Sequence, residues 1–338
     1  VTMEQPEHLV PEGFPALQND YLLRAARGEE CHHVPVWCMR QAGRYLPEFR
    51  ETHAGQDFFT SCPSPEICCE LTLQPLRTFT LDATITFSDI LVIPQALRME
   101  IQTEPGRGPV FPEPLQTPDD LQKLKSKVDV EEELGYVFCA ITLKWHKIAG
   151  KVLLIGLTGA SHRLLRQLTD IIVEYLVGQV AAGAQALQVF ESHARCLGPQ
   201  QFTDFFLPYL KEISQRTKQE LKSVRLEQVP MIVFAKDAHY ALEDLSQAGY
   251  EVVGLDWTIR PQEARERTGN CATLQGSMDP CALYASVADI EEMVKHMIDT
   301  FGCRRYIANL GHGLYPDMGP EHVGAFVSAV HMHSEQKN

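Results

Sequence analysis

Eight short apolar runs punctuate the chain, at 34–39, 83–87, 152–157, 186–190, 231–235, 252–255, 272–274 and 305–310. They are rich in Val, Ile, Leu and Phe and do not alternate with polar residues. Strands buried on both faces read this way, which points to a parallel sheet rather than an antiparallel one. Helix-like segments separate the runs. Eight strand–helix repeats predict an α/β fold of the (β/α)8 barrel type in one domain. The barrel is expected over 14–333, with a flexible segment at 1–13 and a frayed tail at 334–338.

The predicted helices carry recognisable starts. Ser64-Pro65-Glu66 supplies a capping hydroxyl, a proline at the first helical position and an acid in the first turn. Thr117-Pro118-Asp119-Asp120 is expected to open a helix running to Ile148. Asp279-Pro280 and Gly319-Pro320-Glu321 predict two more starts, the last helix continuing through His331. Residues 104–118 are dense in Pro and Gly and read as an excursion between the second and third runs. There is no internal repeat and no heptad pattern.

Composition narrows the possible partners. The 338 residues carry a formal charge of −14 at pH 7, which disfavours nucleic acid and anionic membranes. An anionic small molecule would be repelled too, unless arginines reverse the field locally. No apolar run is long enough to cross a bilayer, and the first residues lack the basic and apolar regions of a secretory signal. The 10 cysteines include no Cys-x-x-Cys pair, so reduced thiols in a cytoplasmic protein are expected, without a zinc site.

Candidate chemistry follows from where the runs stop. In a barrel of this kind the reactive groups sit at the carboxyl ends of the strands. The first run is followed by Arg40, Gln41 and Arg44, the second by Ser88 and Asp89, and the third by Thr158-Gly159. Then come Glu191, Ser192 and His193 after the fourth, and Lys236, Asp237 and His239 after the fifth. Asp256 and Trp257, Gln275-Gly276, and Gly311-His312-Gly313 complete the circuit.

Each position has a plainer reading beside the functional one. Guanidinium groups at 40 and 44 suit a polycarboxylate, or they pair with Glu48 or Asp57 in a structural network. Asp89 is either a charge facing a cavity or the cap of a turn. His312 between two glycines suits close approach to a phosphate or carboxylate, or is a buried hydrogen-bonded histidine. Ser192 and His193 are neighbours that would point in opposite directions on a strand, which argues against a hydrolase pair. His193 and Cys196 lack a third and fourth ligand, so no metal is expected at this site.

Five segments in order carry a resemblance. Met39-Arg-Gln-Ala-Gly-Arg-Tyr-Leu-Pro47, Phe87-Ser-Asp-Ile-Leu91, Phe190-Glu-Ser-His193, Phe234-Ala-Lys-Asp237 and Asn309-Leu-Gly-His-Gly313 resemble the uroporphyrinogen decarboxylases. The similarity runs from Phe14 to His331 and is closest to the vertebrate enzymes. It implies a TIM barrel that works without a cofactor, a homodimer, and a cytoplasmic carboxy-lyase of haem synthesis. The implied reaction converts four acetates of uroporphyrinogen, an anionic tetrapyrrole, to methyl groups. By motif, Asp89 would accept pyrrole N–H bonds and stabilise charge. Arg40 and Arg44 would hold substrate carboxylates, Arg40 being also a candidate proton donor. Ser192 and His312 would touch the substrate's periphery.

The resemblance breaks after the third run. Where the family continues with a tyrosine-bearing wall and a glycine-rich loop, Ala160 here leads straight into Ser161-His-Arg-Leu-Leu165. The gap is about thirty residues, far beyond an ordinary loop difference. Ala238, Ser277 and Arg98 also replace family residues, glycine being usual at 238 and 98. Two rival functions follow. One is an inactive decarboxylase-like isoform that binds porphyrin or pairs with a full-length partner. The other is a zinc-dependent methyltransferase of corrinoids or thiols on the same barrel.

Overall fold

The computed structural model describes residues 13–52, 64–104, 108–113, 117–159, 165–191, 194, 197–269 and 271–335. The expected flexible segment at 1–13 lies almost wholly outside them, as do Asp57, Ser192, His193, Cys196 and Ala160.

Seven of the eight apolar runs form one parallel sheet, with strands in the order β1-β4-β5-β6-β7-β8-β9. These are β1 (Ala83–Ile85), β4 (Leu153–Gly159), β5 (Ala186–Glu191), β6 (Met231–Ala235), β7 (Val252–Gly254), β8 (Thr273–Met278) and β9 (Tyr306–Leu310). Alternation along each strand feeds two apolar clusters. Leu154, Leu187, Val189 and Val233 pack under the helices, while Leu153, Ile155, Ala186 and Ile232 join Trp37 and Met39 on the other face. Both faces are therefore dry, which is why the runs do not alternate in polarity.

The first run is not a strand. Residues 34–39 make one parallel bridge, Val36 to Ala308. The cause is the fate of its donors. Pro35 has no N–H. Val34 N–H goes to Ser334 Oγ (3.0 Å), Val36 N–H to Asp82 Oδ2 (2.8 Å), Cys38 N–H to Gln41 Oε1 (3.3 Å) and Met39 N–H to Asn309 Oδ1 (3.1 Å). This leaves Trp37 N–H as the donor that reaches a strand carbonyl, Ala308 O at 3.4 Å. The acceptors still reach both neighbours. Pro35 O accepts from Ala308 N–H at 2.9 Å, and Val36 O accepts from Asp82 N–H at 2.9 Å.

The seventh run is longer than its apolar part. β8 continues through Gln275, Gly276 and Ser277. Gln275 is wholly buried because Trp37 Nε1 donates to its Oε1 (3.0 Å) and its own Nε2 donates to Gln188 (3.3 Å). It is a structural tie inside the wall, not a group at the strand's mouth.

Ser64 caps the helix Pro65–Thr78 as expected, accepting from Ile67 N–H. The start at Thr117 opens only a 3-10 turn, Pro118–Lys123. There Asp120 takes both the N–H and the hydroxyl of Thr117 (2.8 and 3.1 Å), and Asp129 caps the separate helix Val130–Ile148. Asp279-Pro280 likewise opens a 3-10 turn, Pro280–Tyr284, before Ser286 caps Val287–Phe301. The 104–118 excursion is entered through a small antiparallel pair, β2 (Gln102–Glu104) with β3 (Gly108–Val110). The last helix is Pro320–Glu335. Ser334, expected to fray, is fully buried and bonded to Val34.

At the amino-terminal ends of the strands, the helix Tyr21–Arg27 lays Leu22, Ala25 and Ala26 on the second cluster. Thr273, the first residue of β8, donates to Ala25 O at 2.7 Å. That end is covered. The carboxyl ends carry the polar residues.

Candidate active site

Three chain segments meet at the carboxyl ends of β1 and β9. A turn at Cys38–Gln41 swings Arg40 out with φ 60°. Gln41, buried, fixes that turn by accepting Cys38 N–H (3.3 Å) and donating to Thr84 Oγ1 (2.9 Å). Met39 is clamped to the loop after β9, its N–H on Asn309 and its carbonyl accepting Leu314 N–H (3.0 Å). This seats Arg40 on Gly313. A Cβ at Gly313 would overlap Cγ and Cδ of Arg40. The glycine is needed for close approach, as its type suggests, but what approaches it is a side chain of the same molecule.

Asp89 stands on the short loop after β1. Its carboxylate accepts Leu91 N–H at 2.7 Å. The turn-cap reading holds, and the same half-buried carboxylate is also within electrostatic reach of Arg40. Burial raises its pKa above the ordinary carboxylate value, while the Leu91 and Ile90 N–H groups and Arg40 pull the other way. Beneath the loop, the wholly buried Lys144 donates to Phe87 O at 3.4 Å. Nothing in the sequence pattern marked that lysine.

Burial lowers the pKa of Arg40, and Arg44 acts in the same direction, while Tyr315 and Asp89 oppose. Its side chain is nonetheless open to solvent. Arg44 is exposed, and among the described residues neither arginine makes an ion pair within 4.0 Å. The alternative pairing of either with Glu48 is therefore not made, and Asp57 lies outside the described residues.

His312 is held near a pKa of about 4, chiefly by burial and then by Arg40 and Lys236, against Asp237 and Asp256. It is a neutral imidazole at pH 7. These causes also locate it between the arginine and a polar chain across β6 and β7. There Lys236 Nζ meets Asp237 Oδ2 at 2.7 Å and lies 5.2 Å from the Trp257 ring. Asp237, at φ 61°, donates its N–H to Asp256 Oδ2 at 2.7 Å. Asp256 also accepts Thr258 N–H at 2.8 Å. Sequence reading marked these residues singly; their chain is visible only in space.

Asp89, Arg44, Tyr315 and His312 thus lie within electrostatic reach of Arg40, whose stem rests on Gly313, and together define the candidate cleft. Ser192 lies outside the described residues. β4 ends at Gly159 and the following helix, Leu165–Ala181, leaves only residues 160–164 to connect them. Among the described residues the two clusters with metal-binding geometry both lie around His33, away from this cleft. Chemically, the cleft offers a carboxylate for N–H groups or a developing positive charge. Guanidinium groups beside it suit carboxylates. Ala238 keeps a negative φ of −107°, so the glycine usual there is not needed, whereas Arg98 sits at φ 67°.

A family profile described as uroporphyrinogen decarboxylase (URO-D) matches the chain in two pieces, residues 17–161 and 160–333. The pieces meet at the break after Ala160. A uroporphyrinogen decarboxylase of Danio rerio is 62% identical over 364 residues, covering 99% of each chain. The human uroporphyrinogen decarboxylase is 60% identical over 356 residues, covering 96% of this chain and 97% of its own. Both alignments are longer than the 338-residue chain, so the relatives carry residues that this chain skips. Among solved structures, a methyltransferase from Methanosarcina mazei superimposes with a TM-score of 0.78 at 20% identity, over 93% of this chain and 98% of its own. That likeness describes the fold alone.

Proposed function

The chain belongs to the uroporphyrinogen decarboxylase family, and from that premise we infer that it is a carboxy-lyase of porphyrin synthesis. Its substrate is uroporphyrinogen, whose four acetate side chains become methyl groups. The observation that carries the site assignment is the half-buried Asp89 carboxylate, fixed by the Leu91 N–H and within electrostatic reach of Arg40 on its Gly313 seat.

The overall step replaces a carboxylate by a proton, so each acetate consumes one proton and releases one carbon dioxide. Electrons left by the departing carbon dioxide need a sink, which a cofactor commonly supplies. A pyrrole can serve when first protonated at ring carbon, because the ring then becomes cationic. Asp89, preorganised by Leu91 and Ile90 N–H groups, stabilises that cation and accepts pyrrole N–H bonds at the macrocycle centre. Arg40 and Arg44 hold carboxylates against the repulsion of a chain with net charge −14. Arg40 is also the candidate donor to the new methyl group, and its lowered proton affinity acts in the right direction. His312 and Ser192 contact the substrate's rim, His312 as a neutral donor or acceptor. The mechanism calls on no cofactor.

Two finer features complete the reading. The wall is an eight-position barrel in which residues 34–39 fill the gap between β9 and β1, supported by the Pro35 and Val36 carbonyl bonds to both sides. The assembly is a cytoplasmic homodimer, as the family resemblance implies; no described helix is long and apolar enough to cross a membrane.

The short connection after Gly159 favours a second reading, a chain that binds porphyrin without turnover. Anaerobic incubation with uroporphyrinogen separates the two. Stepwise appearance of seven-, six-, five- and four-carboxylate products is expected. Bound but unchanged substrate would replace the decarboxylase reading with the binding one.

A further inference from the structure

A second constellation lies at the opposite end of the strands from Asp89. Asp82, the residue before β1, is buried with its side chain 3% exposed. His33 Nε2 stands 2.8 Å from its Oδ1 and His331 Nε2 stands 2.9 Å from its Oδ2. The two rings are 4.2 Å apart between centroids. The three ligand atoms lie within 4.8 Å of one another.

The surroundings orient the carboxylate. Asn19 Nδ2 donates to Oδ1 and Val36 N–H to Oδ2, each at 2.8 Å. This is the outer layer of hydrogen bonds that fixes a ligating carboxylate in a metal site. The imidazoles are 13% and 18% exposed, so an ion can enter from solvent. A further donor pair adjoins. Glu335, one helical turn beyond His331, lies 4.0 Å from His32 Nδ1, and His32, His33 and Glu335 form a group of their own within 4.8 Å.

We propose that His33, Asp82 and His331 bind a divalent transition-metal ion of the zinc class, with water or Glu335 completing the coordination. Two imidazoles and one carboxylate are a borderline-soft set that suits zinc. Bonds of about 2.0–2.2 Å in a tetrahedron place ligand atoms roughly 3.3 Å apart. The Nε2–oxygen separations therefore open by about half an ångström on binding. Each imidazole then carries its proton at Nδ1 and its lone pair at Nε2. The ion fastens the start of the first run, the lead-in to β1 and the last helix to one another. It is a structural staple, remote from the decarboxylation cleft.

Crystals of the full chain soaked in zinc chloride and measured at the zinc absorption edge test the assignment. The expected result is an anomalous peak between His33, Asp82 and His331. Peaks confined to cysteines or to other histidines, or no peak, overturn it. In solution, zinc is expected to raise the Tm of the wild-type chain by at least about 2 °C and to do so no longer in His331→Asn. An equal shift in that variant overturns the proposal. Should the variant not fold, the wild-type soak decides alone.

Discussion

Replacing Gly313 by alanine asks whether the placement of Arg40, rather than its mere presence, matters to turnover. The backbone at 313 is not in the left-handed region, so alanine fits the main chain. Its Cβ would stand 2.5 Å from Arg40 Cγ and 2.8 Å from Nε, where carbon contacts settle at about 3.5–4.0 Å. The stem of Arg40 must therefore shift by about 1 Å. A misplacement of ~1 Å in a positioning group costs on the order of 10²-fold in rate, which is about 2.7 kcal/mol of barrier. Stability should change little, because the atoms that give way belong to a side chain open to solvent. The assay is kcat/KM for uroporphyrinogen, followed by chromatography of the oxidised products, with urea unfolding on the same samples. Gly135→Ala, on the outer helix Val130–Ile148 with only Glu131 nearby, is the matched control and should leave kcat/KM unchanged. Wild-type kcat/KM in Gly313→Ala would refute the reasoning, since Arg40 would then act without its seat.

Asp89→Asn should lower single-turnover decarboxylation by at least about 10²–10³-fold. Its Tm should stay close to wild type, because an amide oxygen still accepts the Leu91 N–H. His312 makes stability depend on pH in a defined window: its folded pKa of about 4 lies below the ordinary 6.5. As pH falls from 6.5, the unfolded chain gains the proton first, so stability present at neutral pH is lost down to about 4 and no further. The loss is about 3 kcal/mol at most; urea titrations at pH 6.5 and 4.5 should show a smaller difference for His312→Gln than for wild type, and equal slopes would count against the burial of this imidazole. Arg98→Gly should stabilise the chain by about 1 kcal/mol, since Arg98 holds φ 67° on the surface, and an unchanged or lower urea midpoint would contradict that strain.

The sheet was legible because parallel strands covered on both faces read as unbroken apolar runs. Residues 34–39 have the same composition and still form only a bridge. Most of their donors are taken by side chains, Ser334, Asp82 and Asn309 among them, acceptors that no local pattern announces. Gln275 misled in the other direction, since a polar residue normally ends a buried strand, and here Trp37 and Gln188 satisfy it inside one. Asp89, Arg40 and His312 were visible as polar residues at strand ends. Their mutual influence was not, because it depends on the Arg40 turn and the bare backbone at Gly313. Lys144 gave no signal, being one lysine on a long helix. Asp82 stands 49 residues from His33 and 249 from His331, so a reading by spacing has no reason to join them.

The hydrogen bond between Val34 and Ser334 joins residues 300 apart in sequence. During synthesis, the stretch around Val36 leaves the ribosome long before Ala308 or Ser334 exists. At roughly 5–20 residues per second, Val34 N–H waits on the order of 15–60 s for Ser334, and Met39 N–H nearly as long for Asn309, while Asp82 reaches Val36 within roughly 2–10 s. The growing chain thus carries an apolar segment paired only toward Asp82 through most of translation, and the helix Pro320–Glu335 completes its bonding. A premature stop within that helix would leave residues 34–39 incompletely bonded as well as the helix itself, and chaperone binding to stalled chains should concentrate on residues 34–39.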